Sequence, residues 1–206
     1  MGGVYSVKLF RNEGEAEVEA YGQKYRITIA DLEASGITEG SEADEEGAEL
    51  LALAAEKLAC IKKAQVYLSY RALPSRKLTE KLKKAGFGKE AIEKSVELLT
   101  RKGYVNDGEL CTEYAEVMQR SKGYGGARLR KELYAKGFGR DLVEEAVEAV
   151  LEERDTQAVI TELLYKKFPS LHPEDRQARS KAVAYLYRMG YTYDEINNAI
   201  EAFGRE

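Results

Sequence analysis

Residues 120–150 read RSKGYGGARLRKELYAKGFGRDLVEEAVEAV, and their pattern occurs again in residues 76–99, RKLTEKLKKAGFGKEAIEKSVELL. In both copies, apolar residues recur at helical spacing on either side of a glycine that precedes phenylalanine. The matching pairs are Leu78 and Leu129, Leu82 and Leu133, Gly86 and Gly137, Phe87 and Phe138, Ile92 and Val143, and Val96 and Val147. A fainter third copy, centred on Gly190 and Tyr191, lies 53 residues further on. Internal repeats of this length predict a tandem array of helical units.

The repeated glycines predict how the helices end. A glycine just past a helix adopts the left-handed conformation that a Cβ disfavours, and an apolar residue after it packs back on the last turn. We therefore expect left-handed caps at Gly86, Gly137 and Gly190, each followed by an aromatic residue that faces a leucine five positions earlier. Gly103 with Tyr104 repeats the pattern. The residues that suit the start of the next helix are Gly88, Gly139 and Thr192.

The sequence predicts a mainly α fold, a tandem array of three three-helix units preceded by a small antiparallel β-sheet. The expected divisions are 1–59 for a β-hairpin and helix extension, and 60–105, 106–153 and 154–206 for the three units. The expected strands are 4–10, 16–21 and 24–30. Gly22 and Gln23 are the expected turn of the second hairpin. Whether the helix that contains Leu51 and Leu58 continues to Arg71 is open at this stage.

Some residues predict where helices begin. Ser75 follows a proline and is the expected N-cap of the second helix in the first unit. The other expected helix starts are Asn106 with Glu109, Thr192 with Glu195, and Pro173 as the first residue of a long helix in the third unit.

Charge is distributed unevenly along the chain. Residues 1–61 carry 5 Lys/Arg against 13 Asp/Glu, a net −8, and residues 62–140 carry 19 against 9, a net +10. Residues 141–206 carry 8 against 14, a net −6. A basic segment between acidic ends suggests contact with a polyanion or an acidic protein surface. The alternative is that these lysines and arginines serve only to keep the helices soluble.

Residues that could perform catalysis are sparse. The only histidine, His172, has no nucleophile at a recognisable spacing, and Cys60 and Cys111 share no metal-like spacing. The SKGYGGA segment could cradle a phosphate, but it lacks the order of a P-loop, and a tight interhelix turn explains it better. No run of about 18 apolar residues is present. We expect a cytoplasmic protein without catalytic activity, metal or cofactor.

These motifs resemble the RecX family, regulators of the RecA recombinase. The similarity lies in LSYR at 68–71 with the leucines and glycine that follow, GYVNDGELCTEYAE at 103–116 and RSKGYGGARLRKELYAKGF at 120–138. It covers about residues 60–153. Gly126 stands where the family commonly has proline, Leu110 replaces an aromatic residue, and Asn106 replaces an acid. The segment GQKYRITI at 22–29 is similar to an extension seen in longer members.

The resemblance implies a regulator that lies in the groove of the RecA nucleoprotein filament and restrains ATP hydrolysis and strand exchange. We expect it to be a monomer. We expect no membrane partner, and the basic units could meet acidic RecA surface, DNA phosphates or both. The expected binding residues are Arg71, Arg76, Lys77, Lys81 and Lys84 in the first unit and Arg120, Lys122, Arg128, Arg130 and Lys131 in the second. Lys77, Lys81 and Lys84 share a helix face by their spacing. Tyr70 and Tyr124 are interpreted as core residues rather than surfaces for base stacking.

Two other classes of protein remain open. Each three-helix unit has the size of a helix-turn-helix DNA-binding module, although acidic third helices would repel phosphates. A helical scaffold for protein interactions, unrelated to recombination, is the other alternative. Strong sequence preference on duplex DNA would favour the first, and indifference to RecA and nucleic acid would favour the second.

Overall fold

The computed structural model describes residues 3–172 and 174–203. The elements are β1 (Ser6–Phe10), β2 (Glu15–Ala20), β3 (Gln23–Thr28), α1 (Ile29–Ser35), α2 (Glu45–Tyr70), α3 (Ser75–Lys84), α4 (Lys89–Arg101), α5 (Asp107–Lys122), α6 (Gly126–Lys136), α7 (Arg140–Glu152), α8 (Thr156–Lys167), α9 (Arg176–Met189) and α10 (Tyr193–Phe203). The predicted fold class is confirmed, since a three-stranded sheet precedes helices arranged in threes. The chain forms two compact bodies, an N-terminal body of residues 1–105 and a C-terminal body of residues 106–206. Within the described residues, none of the helices combines the length and apolarity that crossing a membrane requires.

The turn between β2 and β3 differs from the prediction. Ala20 pairs with Gln23, so the two turn residues are Tyr21 and Gly22, and the expected turn at Gly22 and Gln23 is wrong by one residue. Both turn residues have positive φ, 52° and 76°. This is the pattern of a type I′ turn, whose twist matches that of the flanking strands. The hydroxyl of Tyr21 donates a hydrogen bond to the carbonyl oxygen of Ala43, which helps to hold the tyrosine in this unfavourable conformation.

α2 connects the sheet to the first three-helix unit. It runs without a break from Glu45 to Tyr70, which answers the question that the sequence left open. Its first half contributes Leu51 to a cluster with the buried face of the sheet, including Val18. Its second half contributes Ile61 to a separate cluster with Leu78 and other residues of α3 and α4. Positions 59 and 60, the expected division between extension and first unit, lie inside this helix.

A buried carboxylate joins β2 to α2. Glu15 is 7% exposed, and its carboxylate lies 2.7 Å from Lys62 Nζ of α2 and 2.8 Å from Arg26 Nε of β3. The hydrogen bond from Lys62 lowers the pKa of Glu15, burial opposes that shift, and the bond from Arg26 adds to it. A second ion pair, between Lys57 of α2 and Asp31 of α1, connects α2 to the helix that follows the sheet. The sheet and α2 are therefore joined by charge as well as by apolar packing.

Replacing Glu15 with glutamine should lower the stability of the protein by about 1–2 kcal/mol at pH 7, because two charge-assisted hydrogen bonds weaken. Since the folded-state pKa of Glu15 is depressed, its contribution is complete above the ordinary glutamate pKa of about 4.3 and is lost as the pH falls through the lowered value. The measurement is the melting temperature of both proteins between pH 7 and pH 3. Glu19→Gln is the control and should change little, because Glu19 lies further along the same face of the strand, is partly exposed and is 4.0 Å from Lys24 Nζ. A difference for Glu15→Gln that grows towards acid pH would contradict this account.

The predicted left-handed caps are confirmed. Gly86, Gly137 and Gly190 have φ of 95°, 101° and 97°. In each case the N–H of the following aromatic residue donates to the carbonyl of the leucine five positions earlier. The distances are 3.4 Å for Phe87 to Leu82, 3.4 Å for Phe138 to Leu133 and 3.3 Å for Tyr191 to Leu186. Gly103 ends α4 in the same way. Each three-helix unit thus uses the same cap between its second and third helices.

Most of the predicted helix starts are also confirmed. Gly88 and Gly139 are the N-caps of α4 and α7. The side chain of Asn106 accepts a hydrogen bond from the N–H of Glu109 at 3.2 Å. The capping box of the third unit is formed by Thr192 and Glu195, with reciprocal bonds of 2.6 Å and 3.3 Å.

Two predicted starts differ from the structure. Ser75 is the first residue of α3 rather than its N-cap, because the carbonyl of Pro74 already accepts the N–H of Leu78 at 2.9 Å. Pro173 lies outside the described residues, and α9 begins at Arg176 with Asp175 as its N-cap.

The glycine-rich segment between α5 and α6 contacts the end of α9. The N–H of Gly125 donates to the carbonyl of Met189 at 2.9 Å, and the N–H of Ala127 donates to the carbonyl of Gly190 at 3.1 Å. These two amides have protein partners and are not free to bind a phosphate. The segment therefore connects the second and third units as well as making the turn between two helices.

Close backbone approach explains the glycines at this contact. A Cβ on Gly125 would lie 2.6 Å from the carbonyl carbon of Gly190, and a Cβ on Gly190 would lie 2.5 Å from Arg128 Cβ. The buried hydroxyl of Tyr191 also donates to the carbonyl of Gly123 at 2.8 Å. We call the contacts of Gly123, Gly125 and Gly190 the glycine joint. Only glycine permits this separation of the two segments at Gly125 and Gly190.

Candidate partner-binding surfaces

Helix α3 presents lysines on one side. Lys77, Lys81 and Lys84 fall within about 60° of arc on the helix, away from the buried Leu78 and Leu82. Lys81 and Lys84 are exposed, while Lys77 is partly buried. Only one carboxylate on α3 faces these cations, and a cationic surface therefore remains.

That carboxylate belongs to Glu80. It lies 3.0 Å from Lys77 Nζ and 3.6 Å from Arg76 Nε, and the bond from Lys77 lowers the pKa of Glu80. Arg76 is therefore paired within its own helix. Exposed pairs of this kind are weak, typically below about 1 kcal/mol, so an anionic partner could displace them.

An aromatic ring extends the cationic surface onto α2. The ring centroid of Tyr67 lies 5.0 Å from Lys81 Nζ and 5.3 Å from Lys63 Nζ. We call Lys63, Tyr67, Lys77, Lys81 and Lys84 the α3 surface. Lys63 and Tyr67 have a four-residue helical spacing in the sequence, but they were not predicted as part of this surface because their proximity to α3 is a tertiary contact.

The two residues at the end of α2 are both exposed. Tyr70 has 83% of its surface accessible, so its interpretation as a core residue is wrong. It lies on the last turn of α2, beyond the residues that contact α3 and α4. Arg71, the C-cap of the same helix, is exposed beside it.

Among the cations of the second unit that were predicted to bind a partner, some are exposed and others form ion pairs within the unit. Lys131 and Lys122 are exposed, and Arg120 lies 3.8 Å from Glu116 on the solvent side of α5. Arg130 is engaged, with its Nε 2.6 Å from a carboxylate oxygen of Glu144 on α7. Because this ion pair lies within the unit, Arg130 is less available to a partner than its sequence position predicts.

Tyr124 lies between two of the predicted cations. Lys122 Nζ and Arg128 Cζ are each 5.3 Å from its ring centroid. The ring is half-buried and packs against the core of the second unit, which confirms its interpretation as a packing residue. Arg128 also pairs with Glu132 at 2.7 Å.

Both cysteines are buried in the cores. Burial raises the pKa of both thiols, that of Cys111 to about 11, and a thiol rather than a nucleophilic thiolate results. His172 is exposed. Among residues 3–172 and 174–203, no group of three or more His, Cys, Asp or Glu residues is placed to hold a metal ion.

Comparisons with known proteins agree with the repeat architecture. Family models of the second and third three-helix domains of RecX match residues 106–147 and 153–200. A regulatory protein RecX of Prosthecochloris aestuarii is 30% identical over 135 residues, 66% of this chain and 87% of that protein. One of Deinococcus radiodurans is 33% identical over 135 residues, covering 63% of each chain. A crystal structure of regulatory protein RecX has the same fold, with a TM-score of 0.78 over 100% of both chains at 18% identity.

The fold and surfaces define a helical-repeat protein, built from three-helix units that carry exposed cations and aromatic rings. The chain belongs to the RecX family of regulatory proteins, which confirms the resemblance found in its sequence.

Proposed function

We propose that this chain is a non-enzymatic regulator that binds the RecA nucleoprotein filament and restrains its ATPase and strand-exchange activities. The observation that carries the proposal is the α3 surface in a member of the RecX family. Its cations suit a partner that presents phosphates or carboxylates along an extended surface. The second unit adds Arg120, Lys122 and Lys131, and the repeated units distribute these contacts along the chain.

The charges of the third helices argue against the helix-turn-helix alternative. α4 exposes Glu90, Glu93 and Glu97, and α7 exposes Glu145 and Glu148. A recognition helix in a DNA groove lies close to phosphates, so these carboxylates would repel the duplex. The cations lie instead mainly on first and second helices.

The test is titration of the full chain into RecA from the same host, assembled on single-stranded DNA, with ATP hydrolysis as the readout. We expect the hydrolysis rate to fall at substoichiometric to stoichiometric ratios of this protein to RecA. Excess free single-stranded DNA is the control, because inhibition by mere sequestration of DNA would be relieved by it. Unchanged turnover and filament lifetime at a several-fold excess in low salt would refute the proposal.

A further inference from the structure

A second cationic feature, outside the α3 surface, lies in the C-terminal body. A cleft of about 480 Å³ is lined by Ala127, Arg128 and Lys131 of α6 and by Tyr187, Arg188, Gly190 and Tyr191 at the end of α9. Arg128 and Lys131 were predicted from the sequence as binding residues, whereas Tyr187 and Arg188 were not. The cleft exists only where the second and third units meet, so neither repeat contains it alone.

Three cations face this cleft. Lys131 and Arg188 are exposed, and Arg128 is partly buried. The guanidinium of Arg128 pairs with Glu132 through one terminal nitrogen, while its buried Nε has no partner within the described residues. Two other carboxylates, Asp194 and Glu195, lie close by in sequence at the start of α10; Asp194 is exposed, and Glu195 forms the capping box with Thr192. Within the part of the chain that the structure describes, Glu132 is the one carboxylate that forms an ion pair with any of the three cations, so Lys131 and Arg188 are available to an anionic ligand.

Two tyrosines form an exposed stack beside the cations. The rings of Tyr187 and Tyr193 have centroids 5.1 Å apart and planes inclined by 27°. Their accessible fractions are 56% and 57%, so the stack is not part of the core. A carboxylate peptide would use the cations but would have no need of flat rings. A nucleic-acid strand uses both, because each nucleotide carries a phosphate and an aromatic face.

The glycine joint holds the two halves of this cleft together. The hydrogen bonds of Gly125 and Ala127 to the last residues of α9 connect the start of α6 to the chain that carries Tyr187 and Arg188. The packing between Gly190 and Arg128 allows no Cβ at the glycine. The cations of one repeat and the aromatic stack of the next are therefore positioned before any ligand arrives, which lowers the entropic cost of binding.

We propose that this cleft binds single-stranded nucleic acid, with phosphates against Arg128, Lys131 and Arg188 and an unpaired base against Tyr187. Duplex bases are stacked on their neighbours and cannot reach the tyrosine, so the aromatic contact is specific to single strands. The inference extends the proposed function to a direct contact with DNA. It is tested without RecA, so its failure leaves the regulation of RecA untouched.

The experiment measures fluorescence anisotropy of a labelled oligodeoxythymidine with the full chain at low salt, and of a duplex of equal length. Tyr187→Ala should weaken single-strand binding about tenfold, the scale of one base–aromatic stack, and leave duplex binding unchanged within about twofold. The double variant K131E/R188E should weaken both, and should flatten the salt dependence of single-strand binding by about 0.7 per lost phosphate contact. All three substituted residues are exposed, and thermal melting verifies that each variant is folded.

The double variant K166E/K167E is the matched control, since Lys166 and Lys167 are two exposed cations of the same body on α8. It should leave single-strand affinity unchanged. Any of three results would overturn the proposal: no binding of the single strand at low salt, equal loss for strand and duplex with Tyr187→Ala, or unchanged affinity in both variants. Competition by poly-glutamate as effective as competition by single-stranded DNA would also overturn it, and would assign the cleft to acidic protein.

Discussion

Reversing Lys77, Lys81 and Lys84 together to glutamate should raise the concentration needed for half-inhibition of RecA ATP hydrolysis by about tenfold or more. The change replaces three positive charges on one helix face with three negative ones, and each screened contact contributes up to about 1 kcal/mol. Because these side chains lie at the surface, the field they produce is screened by salt. The inhibition that remains in the variant should therefore depend less on salt than that of the wild type.

Reversing three lysines or arginines at another place on the protein distinguishes the effect of their position from the effect of total charge. Lys8, Arg11 and Lys24 are exposed residues of the N-terminal sheet and its turn, and their reversal changes the net charge by the same amount. This control should inhibit almost as well as the wild type. If the α3 variant keeps full inhibition with an unaltered salt dependence, the partner binds another face.

Replacing Gly190 with alanine should destabilise the C-terminal body by about 3 kcal/mol, of which the positive φ supplies about 1 and overpacking the rest. Its φ is 97°, and the added Cβ would meet the backbone and side chain of Arg128. Neither segment can move away without loss of the hydrogen bonds that join them. Calorimetric melting should show the transition of this body lowered by about 10 °C or more.

Substitutions at two other glycines distinguish the strain of positive φ from the overpacking against Arg128. Gly86 has nearly the same φ, 95°, but open space around it, so Gly86→Ala should cost only the conformational strain of about 1 kcal/mol. Gly125 is not at positive φ, so Gly125→Ala should report the close contact with Gly190 alone. Equal effects at Gly86 and Gly190 would show that the glycine joint adds nothing to stability.

Local chemistry made the caps predictable. A glycine after a helical run, followed by an aromatic residue, determines the cap through contacts within six residues, as at Leu82, Gly86 and Phe87. The β-turn was harder to predict from the sequence, because the register that puts Tyr21 in a left-handed conformation also depends on Ala43, 22 residues away. Sequence patterns favoured glycine as the first turn residue, and a tertiary contact favoured tyrosine.

For the candidate surfaces too, the features set by local spacing were predictable and those set by tertiary contacts were not. Helical spacing places Lys77, Lys81 and Lys84 on one face, but spacing says nothing about partners on other helices. Arg130 is engaged by Glu144, and Tyr67 comes near Lys81 only after α2 and α3 pack. Gly125 and Gly190 are in contact although they lie far apart in sequence. The SKGYGGA segment has the composition of a turn, so its sequence does not indicate that it also contacts the third unit.

The unbroken α2 helix couples the folding of the sheet to that of the first three-helix unit. Leu51 belongs to one hydrophobic cluster and Ile61 to another, although both lie on a single helix about 39 Å long. An isolated helix is marginal in water, so opening either cluster removes support from the other through the shared backbone. Residues 1–105 should therefore unfold cooperatively as one foldon. In native-state hydrogen exchange, the amides of α2 between these two residues should be released only by opening of that entire body.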